Sequence, residues 1–343
     1  MEENVTLDDL DLDLINALQV APRAPHSLLA DVVGSSERTV SRRLRRLMDA
    51  GALRVIAETD VARYTEGAPV HVQVQCRAGS IPGVLRALSD RPDVRFAAST
   101  TGLADIVCEV YPATRAARAR LLTTELQSVP GVERLRSYVV LRTYRTAAGW
   151  HLHRLGGEQL ARLESTAAWG SSGTPEPLSA AESAIIDALT KDARVSNAAL
   201  ARVAALPEST THRLLHGLLD RGLVRPRADI EPELLGYAVE ALLWLSVRPR
   251  ATERVARELV AHPSMRYVTR ITGERQLVAQ AVFTDEESLH TFMTEVLETT
   301  DDVLHSEISL VLTTAKRWWL VRADGRIVAP RWGGAPGTEG ETR

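Results

Sequence analysis

Sliding the 343-residue chain against itself by 171 positions brings its two halves into one register. Between positions 7 and 51, fifteen of 45 residues become identical without a gap. The pairs are Leu7 with Leu178, Ile15 with Ile186, Ala17-Leu18 with Ala188-Leu189, Arg23 with Arg194, and Leu29-Ala30 with Leu200-Ala201. They continue with Val32 and Val203, Glu37 and Glu208, Thr39 and Thr210, Arg42 and Arg213, Leu44 and Leu215, Leu47 and Leu218, Asp49 and Asp220, and Gly51 and Gly222. The same offset pairs Pro92 with Pro263, Gly102 with Gly273, Val107 with Val278 and Leu141 with Leu312. A period this long means two copies of a whole module, not a solenoid. Chance likeness between Ala-, Arg- and Leu-rich helices would give scattered matches in one segment only.

The first part of each module reads as a three-helix head. Asp8, Asp9 and Asp11 enrich a helix start in acid, and Leu7, Leu10, Leu14, Ile15 and Leu18 recur at helical spacing. Pro22 and Pro25 stop that helix. Ser27 is the expected N-cap of a short helix over 28–33, with Gly34 as its breaker. Ser35 or Ser36 caps a third helix that buries Val40, Leu44 and Leu47 and ends at Gly51. Two helices joined by a short Gly-containing turn are the helix-turn-helix arrangement.

Charge singles out that third helix. The chain carries a formal −3, and of its 41 basic residues only Lys191 and Lys316 are lysine, a bias that codon composition accounts for. From Ser35 to Ile56, however, six arginines face only Glu37 and Asp49, a local +4. Arg38, Arg42, Arg43, Arg45 and Arg46 are interleaved with Ser36, Thr39 and Ser41, residue types that contact phosphates and base edges. They are the expected DNA contacts. The second copy reaches only +2 over 206–227, with Thr210, Thr211, His212, Arg213 and His216 as its candidates. The i, i+4 spacing of His212 and His216 suits a metal pair, but no third ligand follows, so the expectation is a polar face without metal.

The second part of each module alternates as strands and amphipathic helices in the order β-α-β-β-α-β, the split ferredoxin-like motif. In the first copy these are strand 69–77 with Val70, Val72, Val74 and Cys76 on one side, helix 81–91, strand 94–101, turn 101–104, strand 105–110, helix 113–129 and strand 131–145. In the second they are 239–247, 252–261, 266–272, 277–283, 286–299 and 303–315. The fold class expected is α+β: winged or helix-turn-helix heads plus ferredoxin-like sandwich domains, two copies in tandem. Boundaries are set at 1–62 and 66–146 for the first head and sandwich, and at 178–232 and 236–328 for the second. A linker over 147–177 carries a short helix from Glu158 to Ala168 and a flexible Gly170–Pro177, and a tail over 329–343 frays.

Composition removes other classes. No run approaches ~18 apolar residues, so no membrane span is expected, and the N-terminus lacks the pattern of a signal peptide. Cys76 and Cys108 are expected as reduced, buried thiols on neighbouring strands, and His151 and His153 as surface residues. No catalytic triad, phosphate-binding loop, zinc signature or cofactor motif is present. The expected setting is cytoplasmic, at the bacterial nucleoid.

Leu7-Asp8-Asp9-Leu10-Asp11, Ile15, Leu18, Arg23, Leu29-Ala30, Ser36 to Leu44, and Leu47 with Gly51 closely resemble the head of the Lrp/AsnC (feast/famine) transcription regulators. Thr101-Gly102-Leu103-Ala104-Asp105 resembles that family's G-x-x-D turn. The resemblance implies a sequence-specific regulator that binds a double-stranded DNA operator through the third helix, with sandwich domains pairing and chains self-associating. It implies an effector, an amino acid or related metabolite, between sandwich domains near Ser99, Thr100, Thr101, Gly102 and Asp105, and near Thr272 and Gly273 in the second copy. The tandem copies would then make an internal pseudo-dimer. Gln276 stands where Asp105 does in the first copy, a departure in the turn. Two alternatives share the fold: a sirohaem-decarboxylase-like enzyme, for which the first sandwich domain offers only His71, and an amino-acid sensor that does not bind DNA.

Overall fold

The computed structural model describes residues 5–59, 68–164, 178–323 and 326–327. Its contacts divide into two units that cut across the repeat. One unit joins 1–64 with 151–235, and thus both heads; the other joins 65–150 with 236–343, and thus both sandwich halves. Like pairs with like.

In the head unit, α1 (Asp9–Val20), α2 (His26–Val32) and α3 (Glu37–Asp49) form the first head, followed by β1 (Leu53–Thr59). Asp8 and Asp11 close a capping box on α1, each satisfying a backbone N–H of the other's turn. Ser36 caps α3 through the Thr39 N–H. Ser27 does not cap α2, which starts two residues earlier than expected, with Pro25 in the capping position. Pro25 already holds an extended φ and has no N–H to satisfy, so the helix starts directly after it.

The strand after α3 does not form a wing with its own head. β1 pairs antiparallel with β6 (Val224–Ile230) of the second head, Leu53 opposite Ile230 and Thr59 opposite Val224. Ile56 faces Arg227, its own counterpart at the 171 offset, so the local two-fold passes between them. Arg23 and Arg194, also counterparts, each donate to a carbonyl of the other head, Arg23 to Ala193 and Arg194 to Pro22. The second head consists of α7 (Ala180–Lys191), α8 (Asn197–Ala204) and α9 (Glu208–Asp220).

Residues 151–164, read from sequence as the start of a linker, belong to this unit. Leu152, Leu155 and Leu163 are buried, and Asn16 accepts the N–H groups of Arg154 and Leu155. Helix α6 (Gly157–Glu164) lies on α1 and α2, where Gln159 donates to the carbonyl of Val32. Residues 170–177 and 329–343 of the expected linker and tail lie outside the described residues.

The sandwich unit contains β2 (Val70–Cys76), α4 (Ile81–Ser89), β3 (Val94–Thr100), β4 (Ile106–Val110), α5 (Arg115–Arg120) and β5 (Val132–Arg145). The second copy supplies β7 (Val239–Val247), α10 (Thr252–Ala261), β8 (Met265–Ile271), β9 (Leu277–Phe283), α11 (Glu286–Phe292) and β10 (Val303–Arg317). Each expected second helix is shorter than 113–129 or 286–299, because its last turn is a π-turn, 121–125 and 293–297. A short hairpin, β11 (Leu320–Ala323) with β12 (Arg326–Ile327), extends β10.

Eight strands form a closed ring in the order β3-β4-β2-β5-β8-β9-β7-β10, with β10 returning to β3. The two seams between copies are equivalent: Val140 faces Ile271, and Val311 faces Thr100. Closure leaves neither copy with an unpaired sheet edge along the ring. Outward-facing side chains meet the helices, as Val70, Val72, Val74, Ile106 and Cys108 do with Val84, Leu85 and Leu88. Inward-facing side chains meet the other copy, as Val107 and Val140 do with Leu242, Trp244, Ile271 and Val278.

Candidate functional site

Helix α3 divides its arginines between two tasks. Arg43 Nη1 lies 2.6 Å from Asp8 and 3.0 Å from Asp11, and Arg46 also pairs with Asp11, which is 1% exposed. These two therefore clamp α3 to the start of α1. Arg38, Arg42 and Arg45 project into solvent, and among the described residues they make no ion pair. Ser36 is occupied as the cap and as a partner of Thr39, 3.0 Å between hydroxyls, while Ser41 is half-buried.

On α9, Thr210 is half-buried and His212, Arg213 and His216 are exposed. Thr211 is not a surface residue. It is 0% exposed and donates to the carbonyl of Pro207, because the 171 offset places it on Val40 of the first core. The Nε2 atoms of His212 and His216 come within 3.2 Å.

In the sandwich unit, each G-x-x-D-like turn docks on the long strand of the other copy. Thr101 N–H donates to Leu310 O, and Leu310 N–H donates to Thr101 Oγ1, both at 2.9 Å. Thr272 and Val139 repeat the pair at the same 2.9 Å distances. Gly102 and Gly273 adopt φ of +94° and +100°, and a side chain there would press on Ser309 and Tyr138 respectively. Asp105 accepts the Cys76 N–H at 2.7 Å, and Gln276 accepts the Val247 N–H at 2.7 Å. The departure at Gln276 thus keeps the hydrogen bond and loses the charge.

Of the effector residues expected from sequence, Gly102 and Asp105 border an open cleft with Gln75, Cys76, Leu103, Glu133 and Arg134. Arg136 and Gln73 line a smaller adjoining recess. Ser99 and Thr100 are buried instead, and Thr100 donates to Ala104 O within the turn. Thr101, Thr272 and Gly273 serve the contact between copies. Glu133, Arg134 and Arg136 are not among the residues the sequence singles out; they fall within the strand expected over 131–145.

A second polar group lies inside the ring. Tyr267 donates to Glu109 at 2.8 Å, leaving its oxygen to accept from His71 Nε2 at 3.2 Å. Arg95 pairs with Glu109 at 2.6 Å, and Arg317 with Glu240 at 2.6 Å. Burial would raise the Glu109 carboxyl, but Arg95 and the hydrogen bonds of Arg95 and Tyr267 hold it below the ordinary range. Burial also depresses His71, which is therefore neutral, and lifts the Tyr267 phenol well above its usual value. Both thiols are pushed up by burial, Cys76 to about 11 and Cys108 to about 12, and Cys108 sits opposite Val72 rather than Cys76. Both are free thiols, Cys108 buried as expected and Cys76 only half-buried.

Among the described residues there is no cluster of three metal-ligating side chains, and no helix is long and apolar enough to cross a membrane.

Residues 7–48 match the model of the AsnC-type helix-turn-helix domain, and 70–149 and 240–318 each match the Lrp/AsnC ligand binding domain. Residues 183–228 match the IclR helix-turn-helix domain, a second sign that the two heads have diverged. An uncharacterized HTH-type transcriptional regulator of Pyrococcus horikoshii is 29% identical over 140 residues, covering 40% of this chain and 88% of that protein. The HTH-type transcriptional regulator AldR of Mycolicibacterium smegmatis is 30% identical over 132 residues, 37% of this chain and 77% of AldR. The crystal structure of the siroheme decarboxylase NirDL shares the fold, with a TM-score of 0.61 at 15% identity over 92% of this chain and 93% of that one.

Proposed function

Because the chain belongs to the Lrp/AsnC family of helix-turn-helix regulators, as a tandem duplication of the family's module, we propose that it is a DNA-binding transcriptional regulator whose affinity for its operator responds to a small zwitterion. The observation that carries the DNA half is α3, where Arg38, Arg42 and Arg45 are exposed and, among the described residues, not engaged by carboxylates. Guanidinium groups so placed suit phosphate contacts and bidentate guanine readout.

The cleft beside Asp105 supports the effector half. Asp105 and Glu133 offer carboxylates to an ammonium group, Arg134 and Arg136 offer guanidinium groups to a carboxylate, and Leu103, 53% exposed, offers apolar surface to a side chain. An amino acid or close relative has that pattern of charge. A ligand of this kind changes operator affinity by the ratio of its affinities for the two states of the chain. The cell interior, at the nucleoid, and association of whole chains belong to the same proposal.

Regulation rather than catalysis is the preferred activity. The likeness to siroheme decarboxylase is one of fold, and Arg95 and Arg317, which line a cavity inside the ring with His71, are already paired with Glu109 and Glu240. Selection of genomic fragments followed by anisotropy titration across salt tests the DNA half: nanomolar, steeply salt-dependent binding is expected. Binding indistinguishable from that to random DNA, together with absorbance changes on adding sirohaem, would reverse the assignment.

A further inference from the structure

The third helices of the two heads carry opposite charge. Helix α3 has five arginines against Glu37 and Asp49, a formal +3, whereas α9 has only Arg213 against Glu208 and Asp220, a formal −1. Phosphate repels such a helix. Where the 171 offset places Ser41 and Arg45 in the first head, α9 carries His212 and His216. Both are exposed, their ring centroids lie 4.4 Å apart, and their Nε2 atoms converge to 3.2 Å.

That separation suits a shared ion. Two imidazole nitrogens at about 2.0–2.1 Å from one metal and 3.2 Å from each other subtend about 100° at it. The value lies between the right angle of octahedral sites and the wider tetrahedral angle. Glu208 and Asp220 continue the same row one turn to either side, so a carboxylate stands at each end of the pair. We propose that His212 and His216 bind a divalent transition-metal ion, of the imidazole-preferring class of Ni²⁺, Cu²⁺ and Zn²⁺. Each Nε2 gives its lone pair to the ion, and the imidazole hydrogens sit on Nδ1. Water or a nucleic-acid donor completes the coordination. The ion brings two positive charges and turns α9 from −1 to +1. The site itself is independent of the regulator reading; only its effect on DNA affinity rests on that reading.

Calorimetric titration of the untagged full-length chain with Ni²⁺, at a pH of about 7.5 so that imidazoles are neutral, tests the site. One ion per chain is expected, with His212→Ala and His216→Ala each weakening it by ~10-fold or more and leaving the circular dichroism unchanged. A His151→Ala/His153→Ala variant removes the other close imidazole pair, 5.0 Å between centroids, and is expected to bind normally. No saturable binding, or wild-type affinity in His216→Ala, overturns the site. Operator affinity is then compared in nickel and in chelator. A gain of ~10-fold or more that His216→Ala abolishes supports the charge reversal, and nickel binding without that gain overturns it. Loss of DNA binding in both buffers would count against the regulator reading alone, because the calorimetry needs no DNA.

Discussion

Arg43 turns its guanidinium back onto Asp8, 2.6 Å away, and so ties the third helix of the first head to the start of its first helix. The Asp8 carboxyl is held below its usual range, chiefly by the Arg43 hydrogen bond. Neighbouring arginines on one helix therefore differ in kind. Arg43 and Arg46 hold the head together, while Arg38, Arg42 and Arg45 face solvent.

Substitution separates the two groups. Arg42→Ala and Arg45→Ala are expected to weaken operator binding and each to reduce the salt slope by ~1, with stability unchanged. Arg43→Ala is expected to destabilise the head by about 1–3 kcal/mol, because Asp11 is buried and loses one of its two guanidinium partners. Anisotropy titrations and denaturant melts of the three variants decide it; equal melts with equal DNA losses would refute the division.

The seam between sandwich copies is predicted to be equally sensitive on both sides. Thr101→Val and Thr272→Val each remove an acceptor from a half-buried backbone N–H, at Leu310 and Val139, at a cost of about 1 kcal/mol. Gly102→Ala and Gly273→Ala cost more than that, since both positions hold positive φ and the new methyl meets Ser309 or Tyr138 at 3.1 Å. Urea denaturation of the four variants is the measurement. A large effect on one side only would show that the pseudo-symmetry is not shared energetically.

Much of this fold is legible in the sequence, because helical and strand periodicities survive in both copies and the offset aligns them. What periodicity cannot tell is solvent from a second sheet. Strand 70–76 alternates as a half-buried strand should, yet His71 and Gln73 on its polar side are buried against the other copy. The same blindness hid Glu109, a single charged residue in an otherwise apolar strand, with its partners Arg95 on the adjacent strand and Tyr267 in the other copy. Thr211 was misplaced although the offset itself puts it on the buried Val40. The head strands could not reveal their pairing, since each finds its partner in the other copy.

Acid is predicted to loosen the sandwich unit in two stages. His71 and Glu109 both have folded pKa values below their ordinary ones, so the unfolded chain binds more protons and stability falls as pH falls. The His71 share is complete above pH 6.5 and is lost below it; the Glu109 share is lost below 4.5. Each contributes a slope of at most about 1.4 kcal/mol per pH unit. His71→Leu, which copies Leu242 of the second half, is expected to flatten the slope just below pH 6.5. His262, also depressed by burial, retains part of it. Urea midpoints between pH 7 and about 5 test this; an unchanged slope in the variant would sink it.

The effector is predicted to bind once per chain, although the ligand-binding domain occurs twice. At the 171 offset, Asp105 becomes Gln276, Glu133 becomes Leu304, Arg134 becomes His305 and Leu103 becomes Glu274. Arg136 becomes Glu307, which pairs with Arg275 at 3.0 Å. The corresponding positions of the second copy have thus lost both guanidinium groups and both carboxylates of the first, and carry Glu274 and Glu307 instead. A zwitterion there would meet carboxylates at both ends and no fixed cation free to balance its own. Calorimetry of the whole chain with an amino-acid panel should therefore give a stoichiometry near one for the best ligand. Arg134→Ala should weaken binding by ~10-fold or more, the loss expected for one charge-assisted hydrogen bond. Arg275→Ala should leave it unchanged, because that guanidinium belongs to Glu307. Two equal sites, or a response to Arg275→Ala and none to Arg134→Ala, would place the effector elsewhere.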